Sequence, residues 1–206
     1  MDLTRGYPVP AAEHEVEEVI RRSRFRAVLA PARTPDEAHA FIQGVRERAP
    51  EATHHCWAFV AGPPGDTARV GMSDDGEPSG TAGRPMLTAL LHSGVGEIVA
   101  VCTRWYGGTK LGTGGLQRAY ASGVRTALEG LALRTRIARR RIDLVFAYPH
   151  VDAVRRLLDD AGAHLVDESY DAAVRYRISV PEIDLARLVA ALSDLTSGTA
   201  EVAPVD

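Results

Sequence analysis

Residues 98–118 read Ile-Val-Ala-Val-Cys-Thr-Arg-Trp-Tyr-Gly-Gly-Thr-Lys-Leu-Gly-Thr-Gly-Gly-Leu-Gln-Arg. An apolar run of strand character, Glu97 to Thr103, delivers the chain into five glycines within nine positions, Gly107, Gly108, Gly112, Gly114 and Gly115. A helix is predicted from Thr113 or Gly114, where Leu116, Ala119, Tyr120, Val124, Ala127 and Leu128 recur at helical spacing and offer one packed face. Strand, glycine loop and helix is therefore the reading. The same stretch holds the only lysine, Lys110, between Arg104 and Arg118, and no acidic residue lies between Glu97 and Glu129. The local field is positive.

Toward the N-terminus, residues 13–30 suggest two adjacent strands, or one long bent strand, broken by Arg21, Arg22, Ser23 and Arg24. Thr34-Pro35-Asp36-Glu37 is a helix start: Thr34 can cap, Pro35 suits the first helical position, and Glu37 completes a capping box. The helix should run to about Arg48, with Ala38, Phe41, Ile42 and Val45 on one face. Residues 55–61 read as a buried strand, and Gly62 to Gly83 as a long loop of turn-forming residues. Leu87, Leu90 and Leu91 then form a short helical stripe stopped by Gly94.

Beyond Arg134 a pattern repeats. Ile142, Leu144, Phe146 and Tyr148 alternate on one strand face, and Asp152 caps a helix carrying Val154, Leu157, Leu158 and Ala161 that Gly162 stops. A strand through Leu165 and Val166 follows. Val174, Tyr176, Ile178 and Val180 alternate in turn, Asp184 caps a second helix, and residues 199–205 supply a last strand. Two strand-helix-strand halves make a ferredoxin-like βαββαβ sandwich. The expected division is 1–137 and 138–206, giving an α+β protein of two domains.

With 206 residues, 45% of them hydrophobic, the chain can bury one large core or two modest ones. No run approaches a membrane span and no signal pattern opens the sequence, so a cytoplasmic protein without membrane attachment is expected. The formal net charge is -3; residues 138–206 hold 8 basic and 12 acidic side chains, and the remainder 16 and 15. Bulk charge therefore does not indicate nucleic-acid binding, which would have to rest on a local patch. Cys56 and Cys102 each sit in an apolar run and read as buried thiols rather than a disulfide framework.

Three constellations carry possible chemistry. At Gly112-Thr113-Gly114-Gly115 the first helical amides lack partners and the helix dipole adds partial positive charge, a setting for an anion to which Arg104, Lys110 and Arg118 add full charges. The Walker and Rossmann glycine spacings are both absent, and the same glycines can instead make a tight turn that permits close packing. Trp105 and Tyr106 are candidates to stack on a base or peptide, or to be core. The second constellation is Ser73 to Pro85: Asp74, Asp75 and Glu77 can serve as acid, base or cation ligands, and Ser79, Thr81 and Arg84 complete a second wall opposite the glycine loop. The same carboxylates can instead pair with the arginines of the glycine stretch and pin the two loops together. The third is His54-His55-Cys56, which has too few convergent ligands for zinc, so no metal and no cofactor are expected.

Ser23-Arg24-Phe25, His54-His55-Cys56-Trp57, Asp74-Asp75-Gly76-Glu77-Pro78-Ser79-Gly80-Thr81-Ala82-Gly83 and Arg104-Trp105-Tyr106-Gly107-Gly108-Thr109-Lys110-Leu111-Gly112-Thr113-Gly114-Gly115-Leu116 together closely resemble the IMPACT family, also called YigZ or UPF0029, in its bacterial two-domain form. The resemblance implies a first domain with the α/β fold of ribosomal protein S5 domain 2 and a ferredoxin-like second domain similar to one in elongation factor G. The eukaryotic namesake regulates translation by competing for the activator of an initiation-factor-2 kinase, with an additional RWD domain. This chain begins directly with the shared domain, so that partner is not expected here. The resemblance implies a non-enzymatic, translation-associated protein binding RNA or the ribosome, with a protein partner also possible. The alternative is an enzyme acting on a small phosphorylated or carboxylated substrate between the acidic loop 74–77 and the glycine loop 107–115.

Overall fold

One half of the predicted capping box forms. In the computed structural model, which describes residues 6–205, Glu37 N donates to Thr34 Oγ1 at 3.1 Å and opens α1 (Pro35–Arg48). The Glu37 carboxylate reaches one residue further back than a simple box, to the amide of Arg33 at 2.8 Å. The chain divides into a unit of residues 7–136 and a second unit from Ile137 onward.

The first unit is organised on a five-stranded antiparallel sheet in the order β2 (His14–Ile20), β3 (Ser23–Pro31), β6 (Ile98–Trp105), β4 (His54–Val60), β5 (Val70–Ser73). Alternation sends Ala27, Leu29, Cys56, Ala58, Ala100 and Cys102 to one face, where α2 (Gly83–Leu91) and α3 (Thr113–Glu129) pack. Val99, Val101 and Phe59 point to the other face, against Ala38, Ile42 and Val45 of α1. β6, central and buried on both faces, reads as a continuous apolar run for that reason. Tyr120 of α3 is fully buried and meets Phe25 edge-on at 5.4 Å.

Three strands were not legible. β5 lies inside the long Gly62–Gly83 segment, and β1 (Tyr7–Pro10) pairs with β7 (Leu133–Arg136) as a separate two-stranded ribbon. Each of the three has only four residues, and the prolines of β1, the glycine of β5 and the arginines of β7 weaken the strand signal further. Glu97 joins the ribbon to the sheet, accepting from Tyr7 Oη at 2.7 Å and Arg136 Nε at 3.1 Å. Burial and that carboxylate push the Tyr7 phenol up to about 12.

The second unit runs β8 (Arg139–Phe146), α4 (Val151–Asp160), β9 (His164–Tyr170), β10 (Val174–Pro181), α5 (Leu185–Leu195), β11 (Glu201–Pro204), with sheet order β11-β8-β10-β9. That is the ferredoxin-like βαββαβ arrangement. Its core joins Ile142, Leu144 and Phe146 to Val154, Leu158, Leu188 and Leu192. Three local expectations are corrected. Tyr148 lies beyond β8 in a short 3-10 turn before α4, and is exposed rather than part of the alternating face. Asp152 sits in the first turn of α4, whose cap position is His150. Asp184 occupies the cap position of α5, but its carboxylate accepts from Arg187 rather than from the helix amides.

Candidate functional site

The two helices on the shared face of the sheet begin in similar glycine-rich sequence and end up electrostatically opposite. At the start of α2, Asp74 accepts from the amides of Gly80, Ala82 and Gly83 at 2.8–2.9 Å, filling that helix terminus from within the chain. At the start of α3, Gly112 holds the cap position with φ 75°, a conformation glycine adopts without strain. No side chain caps α3 and its first turn has no acidic residue. The amides of Thr113, Gly114 and Gly115 thus form an exposed positive end.

Burial works to raise the Asp74 carboxyl, and the three amides outweigh it, holding the group below the usual aspartate range. A depressed folded-state value means a stability contribution present above the unfolded value, about 3.9, and lost as pH falls through the lower folded value. Thermal unfolding between pH 7 and about pH 2.5 should therefore show Asp74→Asn losing less stability below about pH 4 than the parent. Parallel pH profiles would contradict the assignment.

The other two carboxylates of the acidic loop are also committed. Asp75 receives Arg46 Nη2 and the His55 amide, both at 2.6 Å. Glu77 is buried; its Oε1 accepts from Arg104 Nη1 at 2.6 Å and Tyr120 Oη at 2.7 Å, with His54 Nε2 at 4.0 Å. Arg104 is correspondingly removed from solvent, at 5% exposure, between the rings of Phe25 and Tyr106 and with Nη2 on Ser23. The expectation that Arg104 would meet a phosphate is therefore corrected: its charge is spent on Glu77, joining the two motif loops. Thr81 is likewise turned inward, its hydroxyl on Pro78 O at 2.6 Å, whereas Ser79 is exposed.

In this structure Asp74, Asp75 and Glu77, the candidate catalytic carboxylates, each accept from donors within the chain. The grooves that border α3 receive Gly80 and Arg84 from this loop and none of its carboxylates. Cys56 offers no nucleophile: burial pushes its thiol up to about 12, and its Sγ donates to Asp74 O. Among the described residues no group of three or more His, Cys, Asp or Glu is placed to hold a metal ion, and no helix is long and apolar enough to cross a membrane.

Trp105 is half-buried. Arg24 lies 3.8 Å above its ring and its Nε1 donates to Glu51. Tyr106 is 45% exposed, with Arg104 against one side of its ring. Gly107 is required by contact: a Cβ there would overlap the carbonyl of Arg22.

What remains open is a cationic surface. Arg84, Lys110, Arg118 and Arg125 are exposed, and among the described residues none has a carboxylate partner within 4.0 Å. Arg84, Arg118 and Arg125 line one groove of about 380 Å³ between α2 and α3, with Gly80, Gly114 and Gln117. Gln117 reaches Gly80 O at 3.5 Å, so the ends of the two motif loops do meet here. Arg125 escaped the sequence reading, although it stands seven residues after Arg118, two helical turns along the same face.

Comparison with known proteins places these features in context. A family described as the Impact N-terminal domain matches residues 21–128, and a domain of unknown function, DUF1949, matches residues 144–199. The chain is 41% identical over 198 residues to the IMPACT family member YigZ of Escherichia coli, covering 96% of this chain and 97% of that one. It is 34% identical over 192 residues to the IMPACT family member YvyE of Bacillus subtilis, covering 93% and 87%. Protein IMPACT of Homo sapiens is 31% identical over 107 residues, 50% of this chain and 33% of that protein. A solved structure described as a hypothetical protein, 40% identical, superposes with a TM-score of 0.72 over 98% of both chains.

Proposed function

The chain belongs to the IMPACT family in its bacterial two-domain form, and from that membership and its open cationic face we propose that it is a translation-associated, non-enzymatic RNA-binding protein. The observation that supports this reading is the set of arginines on α2 and α3, Arg84, Arg118 and Arg125, lining one groove with no carboxylate against them. A folded chain with net charge -3 would ordinarily scatter or pair such charges. Here three guanidiniums and the uncapped start of α3 leave positive potential unneutralised, and phosphate is the chemistry that complements it.

Recognition on this reading goes through the backbone of RNA rather than its bases. The groove has no aromatic side chain, so the stacking that sequence-tolerant single-strand binders use has no platform there. Contacts to phosphate position a nucleic acid without reading it. Structured RNA, the ribosome included, is the fitting partner class.

Thermal denaturation with a panel of ligands tests the reading. A structured RNA hairpin should raise the melting temperature at low salt and lose that effect as salt increases, while single nucleotides and sugar phosphates leave it unchanged. Specific stabilisation by one metabolite, and none by RNA, would replace the binding protein with an enzyme.

A further inference from the structure

The turn between β2 and β3 has the wrong residues for its shape. Arg21 and Arg22 both hold left-handed backbone, with φ 46° and 70°, between Ile20 and Ser23, which pair directly across the hairpin. A two-residue turn with both φ positive favours Asn-Gly, because glycine has no Cβ to clash and asparagine tolerates the left-handed region. Arginine at either position strains the backbone. Local contacts do not explain the choice: both side chains are exposed, and among the described residues neither has a carboxylate partner.

Position explains it. Arg21 lines, with Leu111, Gly115, Arg118 and Ser122, a groove of about 240 Å³ beside α3. Arg118 borders both this groove and the one containing Arg84 and Arg125. Gly107 leaves no room for a Cβ beside the Arg22 carbonyl, and its amide donates to Ser23 Oγ at 3.2 Å, so the turn and the glycine loop are fastened together. Strain held at an exposed turn, beside a groove that shares Arg118 with the first, points to a functional element.

Resting on the RNA-binding reading above, we infer that the Arg21–Arg22 turn is a second phosphate clamp. The sugar-phosphate backbone of the RNA crosses α3, held by Arg84 and Arg125 on one side, by Arg21 and Arg22 on the other, and by Arg118 between them. No reaction is involved; the clamp holds phosphates and extends the site beyond the span of the first groove.

The double substitution Arg21→Asn with Arg22→Gly supplies the turn its preferred residues and removes both charges. The melting temperature should rise by about 4 °C or more, while affinity for a structured RNA hairpin at about 0.1 M salt falls about tenfold or more. The slope of log K against log salt should shrink by between about 1 and 2. Arg21→Lys with Arg22→Lys, which keeps charge and strain alike, should retain the parent's melting temperature and most of its affinity. A raised melting temperature with unchanged RNA binding would overturn the clamp, and a lowered one would overturn the strain argument. A parent chain that binds no RNA at any salt would instead remove the reading on which the clamp rests.

Discussion

Glu77→Ala is expected to melt roughly 10 °C below the parent, the consequence of losing about 3–5 kcal/mol when one partner of a buried ion pair is removed. The geometry makes the upper part of that range the natural expectation. Glu77 Oε1 serves two donors at once, Arg104 at 2.6 Å and Tyr120 at 2.7 Å. Both are buried, so neither can turn to water when the carboxylate goes. Arg104 would be left with Ser23 at 3.3 Å as its side-chain hydrogen-bond partner, its full charge held between Phe25 and Tyr106. Glu77→Gln keeps an acceptor for Tyr120 while discarding the charge and should fall between parent and alanine. Thermal melting tests this structural role of Glu77: a melting temperature within a degree or so of the parent would contradict it.

The second large effect is on binding and leaves the fold alone. Arg84, Arg118 and Arg125 are exposed, so replacing all three with alanine should change stability by no more than about 0.5 kcal/mol at each site. Each arginine–phosphate pairing contributes roughly 0.9 to the slope of log K against log salt for duplex nucleic acid, hence about 0.9 decade of affinity at 0.1 M salt. Removing all three pairings at once should weaken RNA binding there by about two to three orders of magnitude, on the same estimate. Arg104→Ala should show the reverse pattern, with the salt slope of the folded fraction unchanged and the melting temperature much reduced. The pair of results distinguishes charge displayed from charge consumed.

That distinction is where the sequence stopped being legible. The long elements of the fold could be read because each carries a period: the 3.6-residue stripe of α1 and α3, the alternation of β8 and β10, and the continuous apolar run of the central β6. The capping box at Thr34 and Glu37 could be read because its partners are three residues apart. The candidate site residues could be listed from the sequence, but not which of them pair within the chain and which stay exposed. Arg104 and Arg118 look equivalent in the sequence, both basic and both beside glycine or its loop. Their fates are set by packing across the fold: β6 turns Arg104 toward Glu77, twenty-seven positions away, while α3 turns Arg118 outward. Asp74, Asp75 and Glu77 look like one acidic cluster, yet three different partners draw them apart: the start of α2, Arg46, and Arg104 with Tyr120. Arg125 was readable as the same helical face as Arg118. The strain at Arg21 and Arg22 was not, because a turn's φ angles follow from how β2 and β3 register, which their residue types do not announce.

On the proposed reading the α2–α3 arginine face, and not the buried arginine of the glycine motif, engages RNA phosphate. Titrating a labelled structured RNA with the parent and the Arg84→Ala, Arg118→Ala, Arg125→Ala chain at several salt concentrations tests this most directly. The parent should show a steep negative slope of log K against log salt, shallower by about 2.7 in the triple variant, with melting temperatures nearly equal. Equal slopes and equal affinities in two equally folded proteins would contradict it.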